Sequence, residues 1–309
     1  MKGLKNGNIS EGVLFLMALI VIVTVAALTQ GVENKTAPGL PPVGQQAYPA
    51  NPAPAGTKSA YSQSTSISTG NAPYSFQSSE EYIVIYNNGA EPIDITGWRL
   101  ANAKSSRPYD TSGTLRYFPS DIAYIPQATL FIPSAGRGMM QNVVLKQGES
   151  AIVVTGSLGS HSPYEITSFK ENICSGYLDN MPEYSFTPDL SRNCPRPADE
   201  PGLDALPTEC RDFIKRLPSC QVPKFDTRDR EGNTCSNCIN GEPLPSSCVA
   251  FAKERFSYAG CLAYHESDPD FSSRTWRIFL GRGWEMWAKN YETISLFDRA
   301  GRLVDSNSY

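Results

Sequence analysis

Histidine is nearly missing from this 309-residue sequence, which carries only His161 and His265. Imidazole chemistry, catalytic or metal-binding, is therefore confined to two positions. No nucleophile-elbow pattern accompanies either, and a serine-rich chain offers Ser-His-Asp triples by composition alone. Phosphate-binding loops are also missing: Gly136-Arg137-Gly138 and Gly281-Arg282-Gly283 lack the Lys and the helix start such a loop needs. There is no surplus of positive charge, with 27 Lys and Arg against 31 Asp and Glu. That excludes the basic footprint of a nucleic-acid binder, so no nucleic-acid partner is expected. Cysteine is absent before Cys174 and after Cys261.

Within that window stand all eight cysteines: Cys174, Cys194, Cys210, Cys220, Cys235, Cys238, Cys248 and Cys261. An even number, so localised, reads as a disulfide framework if the compartment is oxidising. The window also holds an internal repeat. Leu206-Pro207-Thr208-Glu209-Cys210-Arg211-Asp212-Phe213-Ile214 matches Leu244-Pro245-Ser246-Ser247-Cys248-Val249-Ala250-Phe251-Ala252. Thr208 and Ser246 stand where a helix N-cap belongs, and Cys210, Phe213, Ile214 and Leu217 follow helical spacing. Two short amphipathic helices are expected, each stapled by cysteines. Four cysteines flank each copy, which permits two bridges within each unit and leaves the pairing open. The rival is zinc at Cys235-x-x-Cys238 with Cys248 and Cys261, but a ribbon normally brings two such knuckles and one is present. A redox role for the same pair lacks a surrounding βαβ pattern.

The N-terminal end has a different character. Val13 to Leu28 is apolar apart from Thr24, and residues 12–32 suffice to span a bilayer. Lys2 and Lys5 precede the run, so the positive-inside bias places residues 1–32 as a cytoplasmic tip and anchor, with the rest of the chain outside. A signal peptide cleaved near Val25-Ala26-Ala27 is the nearest alternative. A pilin-like leader cut after Gly7 is a further one; Glu11 would then be the fourth mature residue, and Pro38, Pro41 and Pro42 stop the long helix a pilin needs. Residues 33–78 are rich in Pro, Ala, Gly, Ser and Thr and read as a disordered linker, with a sequon at Asn34-Lys35-Thr36.

From residue 79 the pattern turns to β-structure. Tyr82 to Tyr86 is a short apolar run, Asn87-Asn88-Gly89 is a turn, and Ile93-Asp94-Ile95-Thr96 alternates with period two before Gly97 and Trp98. This reads as a hairpin opening an all-β core. Candidate strands follow at residues 115–118, 122–125, 129–132, 142–145, 150–155 and 276–280, spaced as in a sandwich. The stretch EYIVIYNNGAEPIDITGWRL, with LKQGESAIVVTG (145–156) and ETISLFDRAGRLVDS (292–306), resembles the lamin-tail domain family; Val84 departs from it, since many members carry Glu there. The resemblance implies an immunoglobulin-like β-sandwich formed by residues 79–156 and 271–309, interrupted by a cysteine-rich helical insertion at 157–270. It brings no catalytic motif.

Three remaining features bear on function. The runs 265–270 and 226–233 gather metal-ligand residue types but match no EF-hand spacing, and read as solvated loops. Trp284 and Trp287 form a partner surface if exposed and cap the sandwich if buried, burial being the expectation. The function expected is a single-pass plasma-membrane protein displaying an extracytoplasmic binding or structural domain, without catalysis or cofactor. Its partner would be another protein or a cell-envelope polymer. The alternatives are a surface hydrolase or nuclease accessory with chemistry in the insertion, and a pilin-like filament subunit.

Overall fold

A computed structural model describes residues 56–309 apart from 107, 112, 118–119, 136–137 and 160. The expected anchor and the first part of the expected linker lie outside these residues. Among the described residues, no helix is long and apolar enough to cross a membrane. The chain is mainly β, with few helices and four disulfides.

The first strands are β1 (Thr65–Ser68), β2 (Tyr82–Asn87), β3 (Ile93–Asp94), β4 (Arg99–Ala101), β5 (Pro108–Thr111), β6 (Thr114–Tyr117), β7 (Ile122–Tyr124), β8 (Val144–Leu145) and β9 (Ser150–Val154). Then come β10 (Phe169–Asn172), β11 (Phe225–Arg228), β12 (Thr234–Ile239), β13 (Glu242–Pro243), β14 (Ser272–Phe279), β15 (Thr293–Phe297) and β16 (Leu303–Ser308). The α-helices are α1 (Ser175–Asp179), α2 (Thr208–Ile214), α3 (Ser246–Arg255) and α4 (Tyr258–His265).

Two sheets dominate. One has the order β1-β2-β9-β14-β10 and the other β16-β15-β4-β7. Ladders are antiparallel except β9 against β14, which runs parallel. Period-two patterning sets which faces meet: in β15, Ile294 and Leu296 are buried while Thr293, Ser295 and Phe297 are not. Ile83, Ile85, Val153 and Ile278 of the first sheet pack in one core with Leu100, Ile294, Leu296 and Val304 of the second. Trp98, 1% exposed, follows Gly97, whose positive φ of 75° turns the chain there.

The expected hairpin at the start of this core does not form. β2 pairs with β1 and β9, whereas β3 pairs with β8, so the Asn87-Asn88-Gly89 turn carries the chain between sheets. Asn87 is buried and uses its amide to hold Glu91 and Leu145 carbonyls, which fixes this crossing. The linker boundary also shifts. Residues 57–78, read as linker, are folded: β1 zips antiparallel onto β2, Ser59 donates to Asp298 and Asp305 accepts the Ile67 amide. A polar composition was misleading because Ile67 and Ala72 supply the buried apolar anchors and backbone pairing does the rest. In the 129–132 segment Thr129 makes one isolated bridge, to Phe169, and no strand forms.

The insertion is also trimmed, since β10 lies inside the expected 157–270 span yet extends the first sheet beside β14. What remains packs into two small cores, the first of them shared with Phe169 of β10 and with Ile132. One gathers Phe169, Tyr177, Leu178, Tyr258, Leu262 and Phe271. The other gathers Phe213, Ile214, Leu217, Ile239, Phe251 and Phe256. Both predicted repeat helices form as α2 and α3. Their caps are Pro207 and Pro245, not Thr208 and Ser246, which become the first helical residues. Proline's restricted φ suits the extended cap, and the Thr208 hydroxyl accepts from Arg211 instead.

Candidate functional site

The cysteines pair as Cys174–Cys261, Cys194–Cys220, Cys210–Cys248 and Cys235–Cys238. None is free, so none is left as a zinc ligand. The pairing, left open by the sequence, keeps Cys194–Cys220 and Cys235–Cys238 within one unit each and carries the other two bridges across. Cys210 and Cys248 are equivalent positions in the two copies and bridge each other. Each helix carries one apolar stripe too short to be buried alone, so the two stripes bury one another in a shared core. Cys174–Cys261 also crosses the units, joining the entry to α1 to α4.

The two tryptophans part company. Trp287 is 4% exposed and belongs to the main core, whereas Trp284 is 63% exposed. Their loop is held from beneath by two buried carboxylates. Glu81 accepts the amides of Met286 and Trp287, and its pKa is raised by burial. Glu292 accepts the amides of Ala288 and Ala103. Asn102 donates to the Met286 carbonyl. With Met286 and Trp287 anchored inward, residues 284 and 291 are left outward; Tyr291 is 92% exposed. Phe76 and Tyr74, on the neighbouring segment, are exposed as well, and the Lys289 ammonium lies 2.8 Å from the Phe76 ring centroid. The Arg282 guanidinium lies 5.4 Å from the Trp284 ring. The result is a rim of exposed aromatics interleaved with cations, fixed on a rigid base. Sequence inspection found Trp284 but not Phe76 or Tyr74, which lay in the supposed linker.

His265 is not in a solvated loop. It ends α4, is 9% exposed, and has Nδ1 2.7 Å from Asp268 Oδ2 and Nε2 3.2 Å from Glu200 Oε1. Glu200 also holds Arg255. Both ring nitrogens are thus engaged, and the histidine ties α4 to the segment before α2. Asp229, in the second acidic run, does sit in an exposed turn. Hydrogen bonds from the Asn233 side chain and amide hold its carboxyl below the usual range. His161 is exposed and edges onto the Tyr184 ring. Among the described residues no group of three or more His, Cys, Asp or Glu side chains is arranged to hold a metal ion.

Two buried ion pairs had no sequence signal. Arg277 and Glu171 meet at 2.7 Å with side chains 1% and 4% exposed. Lys170 and Glu149 meet at 2.7 Å with 7% and 8%. Arg277 also donates to the Pro188 and Asp189 carbonyls, binding the first sheet to the insertion. No family model matches the chain, and no curated protein matches it.

Proposed function

We propose that this chain is a membrane-anchored, extracytoplasmic binding and structural protein. In this reading, residues 12–32 anchor it, a linker ends near residue 56, and a lamin-tail-like, immunoglobulin-like sandwich is displayed outside with its stapled insertion. The observation that carries the proposal is the complete pairing of all eight cysteines in four bridges. Disulfides persist in oxidising compartments and are rare where thiols are kept reduced. The aromatic rim around Trp284 adds to it, because exposed aromatics held rigidly are the composition of partner-binding surfaces. The partner is another protein or an envelope polymer.

The test is protease added to intact cells, with thiol alkylation in parallel. Loss of the C-terminal domain and eight cysteines resistant to alkylation are expected. A protected domain with reactive thiols would overturn the proposal.

A further inference from the structure

A recess lies on the outer face of the sheet β16-β15-β4-β7. It is an open cleft of about 390 Å³, within the size range of small-ligand sites. Its floor is made by the outward residues of paired strands, Arg99 and Ala101 against Phe297 and Ser295, with Thr293 beyond. Its wall is formed by Ser105, Ser106 and Ser120.

Arg99 is the informative residue. Its guanidinium carbon lies 4.1 Å from the centroid of Phe297, the residue directly opposite on β15. That contact fixes the plane of the fork through a ring face, which uses none of its N–H donors. Among the described residues no carboxylate pairs with it. Arg99 is the one charged residue of the cleft's lining; the neighbouring Lys104 and Arg282 lie outside that lining and share the carboxylate of Asp121, each at 3.6 Å. The cleft therefore presents one oriented, unspent guanidinium.

Five hydroxyls, of Ser105, Ser106, Ser120, Thr293 and Ser295, share the lining with Asn102 and four apolar residues, and several are held in place, Thr293 by Ser308. Ser120 donates to Ser105 at 2.6 Å and Ser106 to the Ala103 carbonyl. The backbone beside these serines is pinned by the Asn102 side chain, which accepts the Lys104 and Asp121 amides, and by Glu292 on the Ala103 amide. Neutral hydroxyls that both donate and accept match the hydroxyls of a sugar. A single guanidinium suits a carboxylate monoanion, taken bidentately, better than a phosphate dianion.

We infer that this cleft binds an acidic saccharide, with Arg99 receiving the carboxylate of a uronate residue and Ser105, Ser120, Thr293 and Ser295 facing its hydroxyls. The inference deepens the proposed binding role by naming a polymer chemistry, and rests on it for access to such polymers. The binding itself is tested without cells.

Full-length protein is titrated calorimetrically with the trisaccharides of galacturonate, glucuronate and mannuronate, and with their methyl esters, which keep the sugar and remove the charge. Saturable binding of at least one acid is expected, weakened about tenfold or more in its ester and in R99A, as for loss of a charged hydrogen-bond pair. R99K, which keeps charge but not the fork, falls between. Free phosphate and acetate at the same concentration should not compete. No binding of any of the three acids, equal binding of the esters, or unchanged binding by both Arg99 variants overturns the inference. Binding in vitro by a chain whose domain is protected in cells would instead retain the cleft and reject the exported location.

Discussion

The sheet-built half of this protein and its cysteine-built insertion solve the same problem by different means. In the first, side chains from two large sheets share one continuous core, and no cysteine is used. In the second, comparable residue types are divided between two small cores, and every one of the four bridges lies there. Small cores bury too little apolar surface to offset chain entropy, so covalent closure of the unfolded chain makes up the difference. The lesson is that bridges follow core size, not exposure alone.

The largest effect should come from the bridge closing the longest loop. Removing Cys174–Cys261, with a sequence separation of 87, should destabilise the chain by about 4–5 kcal/mol in guanidinium unfolding, against about 1–2 for the short Cys235–Cys238 loop. Equal losses would mean that strain, and not loop closure, governs the insertion.

Arg277→Ala comes next. It strands Glu171 in a site where the arginine was 1% exposed, and should lower stability by about 3–5 kcal/mol. A loss below about 1 kcal/mol would show the two regions to be energetically independent. Leu296→Ala, wholly buried between the sheets, should lower stability by about 2–5 kcal/mol. Its loss should be the same with or without reductant, whereas the insertion's protection from hydrogen exchange should collapse on reduction.

A smaller effect concerns acid. Burial alone would raise the Asp298 carboxyl, but hydrogen bonds from Ser59 and Arg302 outweigh it and hold the pKa below 3.8. A depressed folded value means that the stabilisation is present above that pH and is lost as pH falls through the lower one. Amides of residues 57–68 should therefore exchange faster as pH drops below about 3.8, after correction for intrinsic rates. In Asp298→Asn that pH dependence should vanish. Smallest of all, Trp284→Ala should change stability by about 0.5 kcal/mol or less, while weakening capture of the partner. A larger loss of stability would make the rim part of the core.

Much of this was legible in the residues themselves. Alternation in Ile93-Asp94-Ile95-Thr96 announced a strand with Ile93 and Ile95 buried, ahead of Gly97 and Trp98, because a two-residue period leaves one face apolar whatever the partner strand is. Cysteine number and confinement announced bridges, since parity is a property of composition. The repeat announced two helices, since stripe spacing is local.

Which strands pair was decided elsewhere. The turn at Asn87-Asn88-Gly89 is compatible with a hairpin, and only the amide of Asn87 reaching Leu145, distant in the chain, sends it across to another sheet. Segment 57–78 looked like linker because its order comes from partners such as Asp298 and Asp305, far along the chain. Disulfide pairing, the Arg277–Glu171 pair and the free edge of Arg99 over Phe297 share that origin. Local patterning determines which groups a chain must hide or satisfy. Which group meets which depends on contacts between residues far apart in sequence, and the tertiary structure alone brings those together.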